Sequence, residues 1–195
     1  MPRASRREAA QHREDVVEAA SRLFREHGVA GISVPALMAE AGLTHGGFYG
    51  HFKSKEALTA EACVRAFEEK REEYDELIAR HDGDREALRQ DFIARYTGKG
   101  HRDAFGLGCP AAALCGDVAR EGPKSPLRAS FAAGLNMMAE KMSALLSRRK
   151  RRFNREDALA QVAMLVGGLV LARATKGDAI SEEILQSVRS AFLKA

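Results

Sequence analysis

No apolar leader opens this sequence. Its first residues, "MPRASRREAAQHRED", are charged without a hydrophobic stretch, so export by a signal peptide is not expected. No apolar run is long enough to cross a bilayer either: the longest, "VAMLVGGLVLA" from Val162, stops at Arg173, and no membrane partner is expected. Cysteine is scarce. Cys63, Cys109 and Cys115 make no disulfide framework, which fits a reducing cytoplasm. Strand-like alternation, a long Pro/Ser linker and internal repeats are all missing. So are a nucleophile–base–orienter set and a cofactor motif, which points away from an enzyme and leaves no cofactor expected.

What remains is helical periodicity. The 195 residues are 45% hydrophobic and 30% charged, a soluble globular mixture with room for a substantial core. The formal charge of +4 permits an acidic partner without requiring one. Val16, Val17, Ala20, Leu23 and Phe24 form one helical stripe that ends near Gly28. Ser33 is placed to cap a short helix carrying Val34, Leu37, Met38 and Ala41, and Gly42 ends it. Thr44 can start another short helix, and Ser54 caps a long one running to about Arg80. A further helix carries Leu88, Phe92 and Tyr96; "TGKGHRDAFGLGCP" then reads as a loop. A short helix follows Pro110, a long one runs from Leu127 to Leu145, and two more lie from about Arg155 to Lys176 and from Ser181 onward. The expectation is an all-α fold of about nine helices.

The stretch "GLTHGGFYGHFKSK", from Gly42, decides the function class. Gly47 to Ser54, "GFYGHFKS", approaches a phosphate-binding G-x-x-x-x-G-K-[ST] loop, but Phe52 replaces its second glycine and no strand precedes it. His45 and His51 lie six residues apart, on different faces of a helix, with no carboxylate or cysteine at ligand spacing, so no metal site is expected. A helix-turn-helix accounts for more of the residues: Ser33–Ala41 and Thr44–Phe52, joined at Gly42–Leu43, with the second helix entering a DNA major groove. Phe48 and Phe52 anchor that helix, while Gly46, Gly47 and Gly50 lower its profile. Thr44, His45, Tyr49 and His51 project as hydrogen-bonding groups, and Lys53 and Lys55 stand where they can meet phosphates. A helical hairpin with a glycine-softened turn is the bland alternative.

"GISVPALMAEAGLTHGGFYGHFKSKEAL", Gly31 to Leu58, resembles the DNA-binding signature of the TetR/AcrR-type transcriptional regulators. Gly42, Leu43, Thr44, Gly46, Phe48, Tyr49, His51, Phe52, Ser54, Lys55 and Leu58 match its G-[LV]-[ST]-x-G-x-[FL]-Y-x-H-F-x-S-K-x-x-L run. The resemblance implies a homodimer reading a pseudo-palindromic double-stranded operator, with a DNA-binding domain over 1–55 and a ligand-binding and dimerisation domain over 56–195. It implies that Ser33 and Thr44 cap helices at the backbone, that His45, Gly46 and Gly47 face base edges, that Tyr49 and His51 contact backbone or bases, and that Lys55 meets a phosphate. Residues 1–55 carry eight Lys/Arg against six Asp/Glu, so binding leans on local placement, including Arg3, Arg6 and Arg7 in an N-terminal arm.

In the remaining two-thirds the same reading expects an unidentified small-molecule effector in a pocket walled by Phe92, Tyr96, Phe105, Cys109, Phe131, Met137, Met138 and Met142. Simple core is the alternative for each. Cys109 precedes Pro110 at a helix start, where amide dipoles favour thiolate; it is either a sensor of electrophiles or oxidants or an inert buried thiol. "EDALAQVAMLVGGLVLAR" is apolar around most of its circumference, so Leu159, Val162, Val166, Gly167, Leu169 and Val170, with Ile184, Val188 and Phe192 on the last helix, are candidates for a four-helix dimer interface. "SRRKRRFNR", from Ser147, reads as a solvated helix end. The expected function is a ligand-responsive regulator, a repressor; the alternative is a helical sensor or protein-interaction module that does not read DNA.

Overall fold

The computed structural model describes residues 6–146 and 154–194. Arg3 of the expected arm, and most of the basic run from Ser147, lie outside these residues. Ten α-helices occupy the described chain, with no strand among them: α1 (Arg6–His27), α2 (Val34–Glu40), α3 (Phe48–His51), α4 (Lys55–Arg80), α5 (Arg85–Tyr96), α6 (Lys99–Asp103), α7 (Pro110–Arg120), α8 (Pro126–Leu146), α9 (Arg155–Ala174) and α10 (Ala179–Lys194). The fold is all-α. The helix that raises the count above nine is α6, five residues inside the stretch expected to be loop. Its glycines gave it no periodic signature, and it forms because its neighbours fix it: Arg102 reaches Ser181 Oγ at 2.9 Å, and Arg173 reaches the Arg102 carbonyl at 3.0 Å.

Local caps fall where the side chains dictate. Ser33, Ser54 and Asp84 each accept a backbone N–H at the start of α2, α4 and α5. Asn154 and Asp157 close a reciprocal capping box on α9. Val16, Ala20 and Phe24 of α1 meet Leu58 and Ala62 of α4 in a core continuous with the rest of the protein. The 26-residue α4 therefore serves both ends of the molecule, and a division between residues 55 and 56 falls at its first turn. Its main partner is α8. The two approach closely at Gly134, where an added Cβ would lie 2.2 Å from the Phe67 ring.

Three of the residues expected at a dimer interface turn inward instead. Val162 and Leu169 of α9 and Phe192 of α10 are buried within the protomer. With about 100° per residue, positions 162, 165, 169 and 172 share one face, and that face meets the protomer's own core. The opposite face keeps Leu159 and Leu171 exposed, with Val166, Gly167 and Val170 partly covered. On α10, Ile184 and Val188 are partly covered as well. The adjacent glycines divide the same way: a Cβ on Gly168 would strike Val188 at 2.6 Å, whereas one on Gly167 would meet nothing within 4 Å. By length and composition α9 is apolar enough to cross a bilayer, with a mean hydropathy of 1.5, and only 33% of that stretch is buried inside the protomer.

Candidate functional site

The turn between α2 and α3 is built by hydrogen bonds that require a glycine. Leu43 N–H reaches Met38 O at 2.8 Å and Gly42 N–H reaches Ala39 O at 3.0 Å, the double closure of a Schellman motif, with Gly42 at φ +69°. The helix expected over Thr44–Phe52 is divided: a 3₁₀ turn over His45–Gly47 leads into the short α3, and Phe52 is already extended. Thr44 occupies the cap position without a side-chain cap hydrogen bond, unlike Ser33, which accepts from Ala36 N–H at 3.4 Å.

This short segment holds its shape by aromatic anchorage. Phe48 and Phe52, 0% and 4% exposed, stack at 5.6 Å between ring centroids, and the Arg13 guanidinium lies 4.8 Å over Phe52. On the outer side Tyr49 is 72% exposed, and Ser33, Thr44, His45, Gly46 and Lys53 are exposed with it. Gly47 and His51 are half-buried. A Cβ on Gly46 or Gly50 would touch nothing within 4 Å, so internal packing does not exclude a side chain there. What those glycines do is leave the outer surface flat enough for a close approach.

Lys55 differs from its expected role. Its ammonium donates to Val29 O at 2.6 Å and to Ile32 O at 2.5 Å, tying the α1–α2 turn to the start of α4. Two of three donors are thereby used internally, and one is left for a phosphate. The same turn is held from the other side by Asp117 of α7, which accepts Val29 N–H at 3.4 Å. Arg6 and Arg7 lie exposed in the first turn of α1.

A cleft of about 600 Å³ opens between α4, α5 and α6, with Lys70, Tyr74, Leu77, Phe92, Tyr96 and His101 in its wall. Of the eight expected pocket residues only Phe92 and Tyr96 line it. Phe131, Met137, Met138 and Met142 do not, because α8 lays its apolar stripe directly onto α4, and Phe131 packs edge-on against Phe67 at 5.7 Å. Phe105 is instead covered by the Arg173 guanidinium at 4.5 Å. Cys109 is 0% exposed at the start of α7, and Cys115 is partly covered.

The residues missed from sequence include Lys70, Tyr74 and His101. Tyr74–Phe92, Phe92–Tyr96 and Tyr96–His101 form a continuous aromatic wall with centroid separations of 5.8, 5.7 and 4.6 Å. Lys70, 7% exposed, binds both Glu73 oxygens at 2.7 Å. His101 Nδ1 lies 2.8 Å from Tyr96 O, and its Nε2 accepts Cys109 N–H at 3.2 Å. Burial, aided by the nearby Lys70 and Arg173 charges, pulls its pKa down to about 4, against the Tyr96 carbonyl, which favours the proton. Burial also raises Tyr74 and Tyr96 well above the usual phenol range, and the Tyr96 hydroxyl has no hydrogen-bond partner. The signal was available in part: positions 70, 74 and 77 share a face of α4, and 92 and 96 one of α5.

An anchored, outward-facing second helix on an all-α scaffold, with a separate cleft behind it, defines a helix-turn-helix protein. Residues 16–62 match the sequence model of the family described as "Bacterial regulatory proteins, tetR family", so over this part the chain is similar to that family. Two curated relatives share it: the uncharacterized HTH-type transcriptional regulator YerO of Bacillus subtilis, 40% identical over 53 residues, and the HTH-type transcriptional regulator AcrR of Shigella flexneri, 38% identical over 61. Those matches take in 27% and 31% of this chain and only 18% and 28% of the relatives' own lengths. The fold likeness extends further. The reduced form of E. coli NemR superposes with a TM-score of 0.75 over 94% of this chain and 96% of that one, at 20% identity.

Proposed function

We propose that this chain is a cytoplasmic, ligand-responsive transcriptional regulator, a repressor, that binds a pseudo-palindromic operator as a homodimer. The observation that carries the reading is the exposed surface of Thr44, His45, Gly46 and Tyr49 on a segment fixed from behind by Phe48 and Phe52. Tyr49 and Ser33 are assigned to the DNA backbone, His45 and the flat Gly46–Gly47 surface to base edges, and Lys53 with the spare Lys55 donor to phosphates. The outward face of α9, around Leu159, Gly167 and Leu171, with Val166, Val170, Ile184 and Val188 at its margins, is assigned to a second copy. Two-fold pairing there would present two reading heads to half-sites about 34–36 Å apart.

The cleft is assigned to the effector. Ligand would change operator affinity by favouring the conformation whose heads no longer match the half-sites. Modification of Cys109 is a second route, since Cys109, itself buried behind the cleft, donates its backbone N–H to His101 of the cleft wall at 3.2 Å. Cys109→Ser would remove any release of DNA caused by diamide; release unchanged in that variant eliminates the route.

Footprinting on DNA flanking the protein's own gene, at several salt concentrations, tests the main reading. The expected result is a protected pseudo-palindrome whose affinity falls steeply with salt and is lost in Tyr49→Ala. Failure to select any operator from random DNA would overturn it in favour of a sensor or interaction module.

A further inference from the structure

The cleft carries information about its ligand. Its depth and its rim differ in charge. The innermost charged group is the Lys70 ammonium, whose side chain is 9% exposed, while the Glu73 carboxylate that neutralises it is 58% exposed. A pair three residues apart on one helix is weak, and its acid can turn into water at little cost. The buried cation thus has an exchangeable counterion. Glu76, Arg80 and Arg95 are exposed at the rim, where Arg95 is held by Asp91 at 2.7 Å.

The rest of the wall agrees with an anion. Burial, aided by the nearby Lys70 and Arg173 charges, keeps His101 neutral, so Lys70 is the charged side chain at the depth of the cleft. Tyr96, 5% exposed, contributes its ring to the cleft wall. Tyr74, Phe92 and Tyr96 supply ring faces and edges for a flat apolar body. The volume of about 600 Å³ suits one or two fused rings.

We propose that this cleft binds a small aromatic carboxylate, its ring against Tyr74, Phe92 and Tyr96 and its carboxylate on Lys70 in place of Glu73. The proposal deepens the effector assignment above and rests on it.

Calorimetry of the full chain without DNA tests it, using 2-naphthoate, the matched 2-naphthamide and a naphthylmethyl-trimethylammonium cation. Naphthoate is expected to bind at least tenfold more tightly than either analogue. Lys70→Met, which keeps an apolar stem in place, is expected to erase that preference. Glu73→Gln, on an exposed side chain, removes the competitor and is expected to tighten naphthoate several-fold. Equal binding of acid and amide, tighter binding of the cation, weaker naphthoate binding in Glu73→Gln, or no naphthoate binding to protein with an intact thermal transition overturns the proposal. Release of operator DNA is then measured separately. Naphthoate binding without release would count against the effector role alone, and operator binding with no naphthoate binding would count against the carboxylate alone.

Discussion

His101 Nε2 accepts the backbone N–H of Cys109 at 3.2 Å, and this contact joins the cleft wall to the start of α7. Because Nε2 accepts, the ring proton resides on Nδ1, where it donates to the Tyr96 carbonyl. A second proton would face the Cys109 N–H with another N–H.

This fixes a pH dependence. The folded pKa of about 4 lies below the ordinary 6.5, so between these values the unfolded chain binds more protons than the folded one. Stability is fully present above pH 6.5 and declines by roughly 3 kcal/mol as pH falls to about 4. Asp103, held down to about 2 by its hydrogen bond from Arg102, loses its contribution only below 3.8, in a separate window. Urea unfolding at pH 7, 5.5 and 4.5 is the measurement, and His101→Gln should flatten the profile between 6.5 and 4.

At the reading head, Gly46→Ala and Gly50→Ala should separate fold from function. Neither methyl meets another atom, and alanine favours helix by up to about 1 kcal/mol over glycine. The melting temperature should hold or rise while operator affinity falls at least tenfold, read by thermal melts and gel shift. Gly42→Ala should instead lose about 1 kcal/mol, because φ is +69° there.

The glycines of the larger helices should divide by side. Gly134→Ala forces a methyl into the Phe67 ring and is expected to cost about 2 kcal/mol in denaturant unfolding. Gly167→Leu points into open space and should leave the helical circular dichroism intact while weakening self-association at least tenfold in sedimentation equilibrium.

Arg25 is the buried tie between head and body: it donates to Ser21 O at 3.0 Å, to Glu69 at 2.6 Å and to Gly108 O at 3.4 Å. Its side chain is 1% exposed, whereas Glu69 is 24% exposed and has Arg65 as a second partner. Arg25→Met should therefore lose about 2 kcal/mol, less than a fully buried pair would. Arg25→Lys should recover little, since one ammonium cannot span these acceptors together with Ser21 Oγ at 3.1 Å.

Much of this was legible in the residues. Ser33, Gly42 and Ser54 announced the reading head because caps and turns are local, and Phe48 and Phe52 stood at the spacing of an anchored helix. The cleft between α4, α5 and α6 was not legible, for a reason of the opposite kind. Lys70, Glu73 and Arg80 look like any solvated helix face, and only the packing of α5 and α6 against α4 makes one of them interior. Methionines at helical spacing on α8 pointed to a pocket, yet at Gly134 α8 comes so near α4 that even an added methyl would meet the Phe67 ring. On α9, apolar residues all round left the sequence without a direction, and the three-dimensional packing of its own protomer assigned Val162 and Leu169 inward.

Helix α4 runs unbroken from Lys55, which grips the Val29 and Ile32 carbonyls, past Lys70 in the cleft wall. Fifteen residues at 1.5 Å each set those two points about 22 Å apart on one rigid rod. A tilt of about 3° at the level of Lys70 carries Lys55, with the turn it grips, through about 1 Å. Two such rods in a symmetric pair would double that change between the reading heads, so a ligand no larger than a fused ring needs only a small wedge of space to put a half-site out of reach.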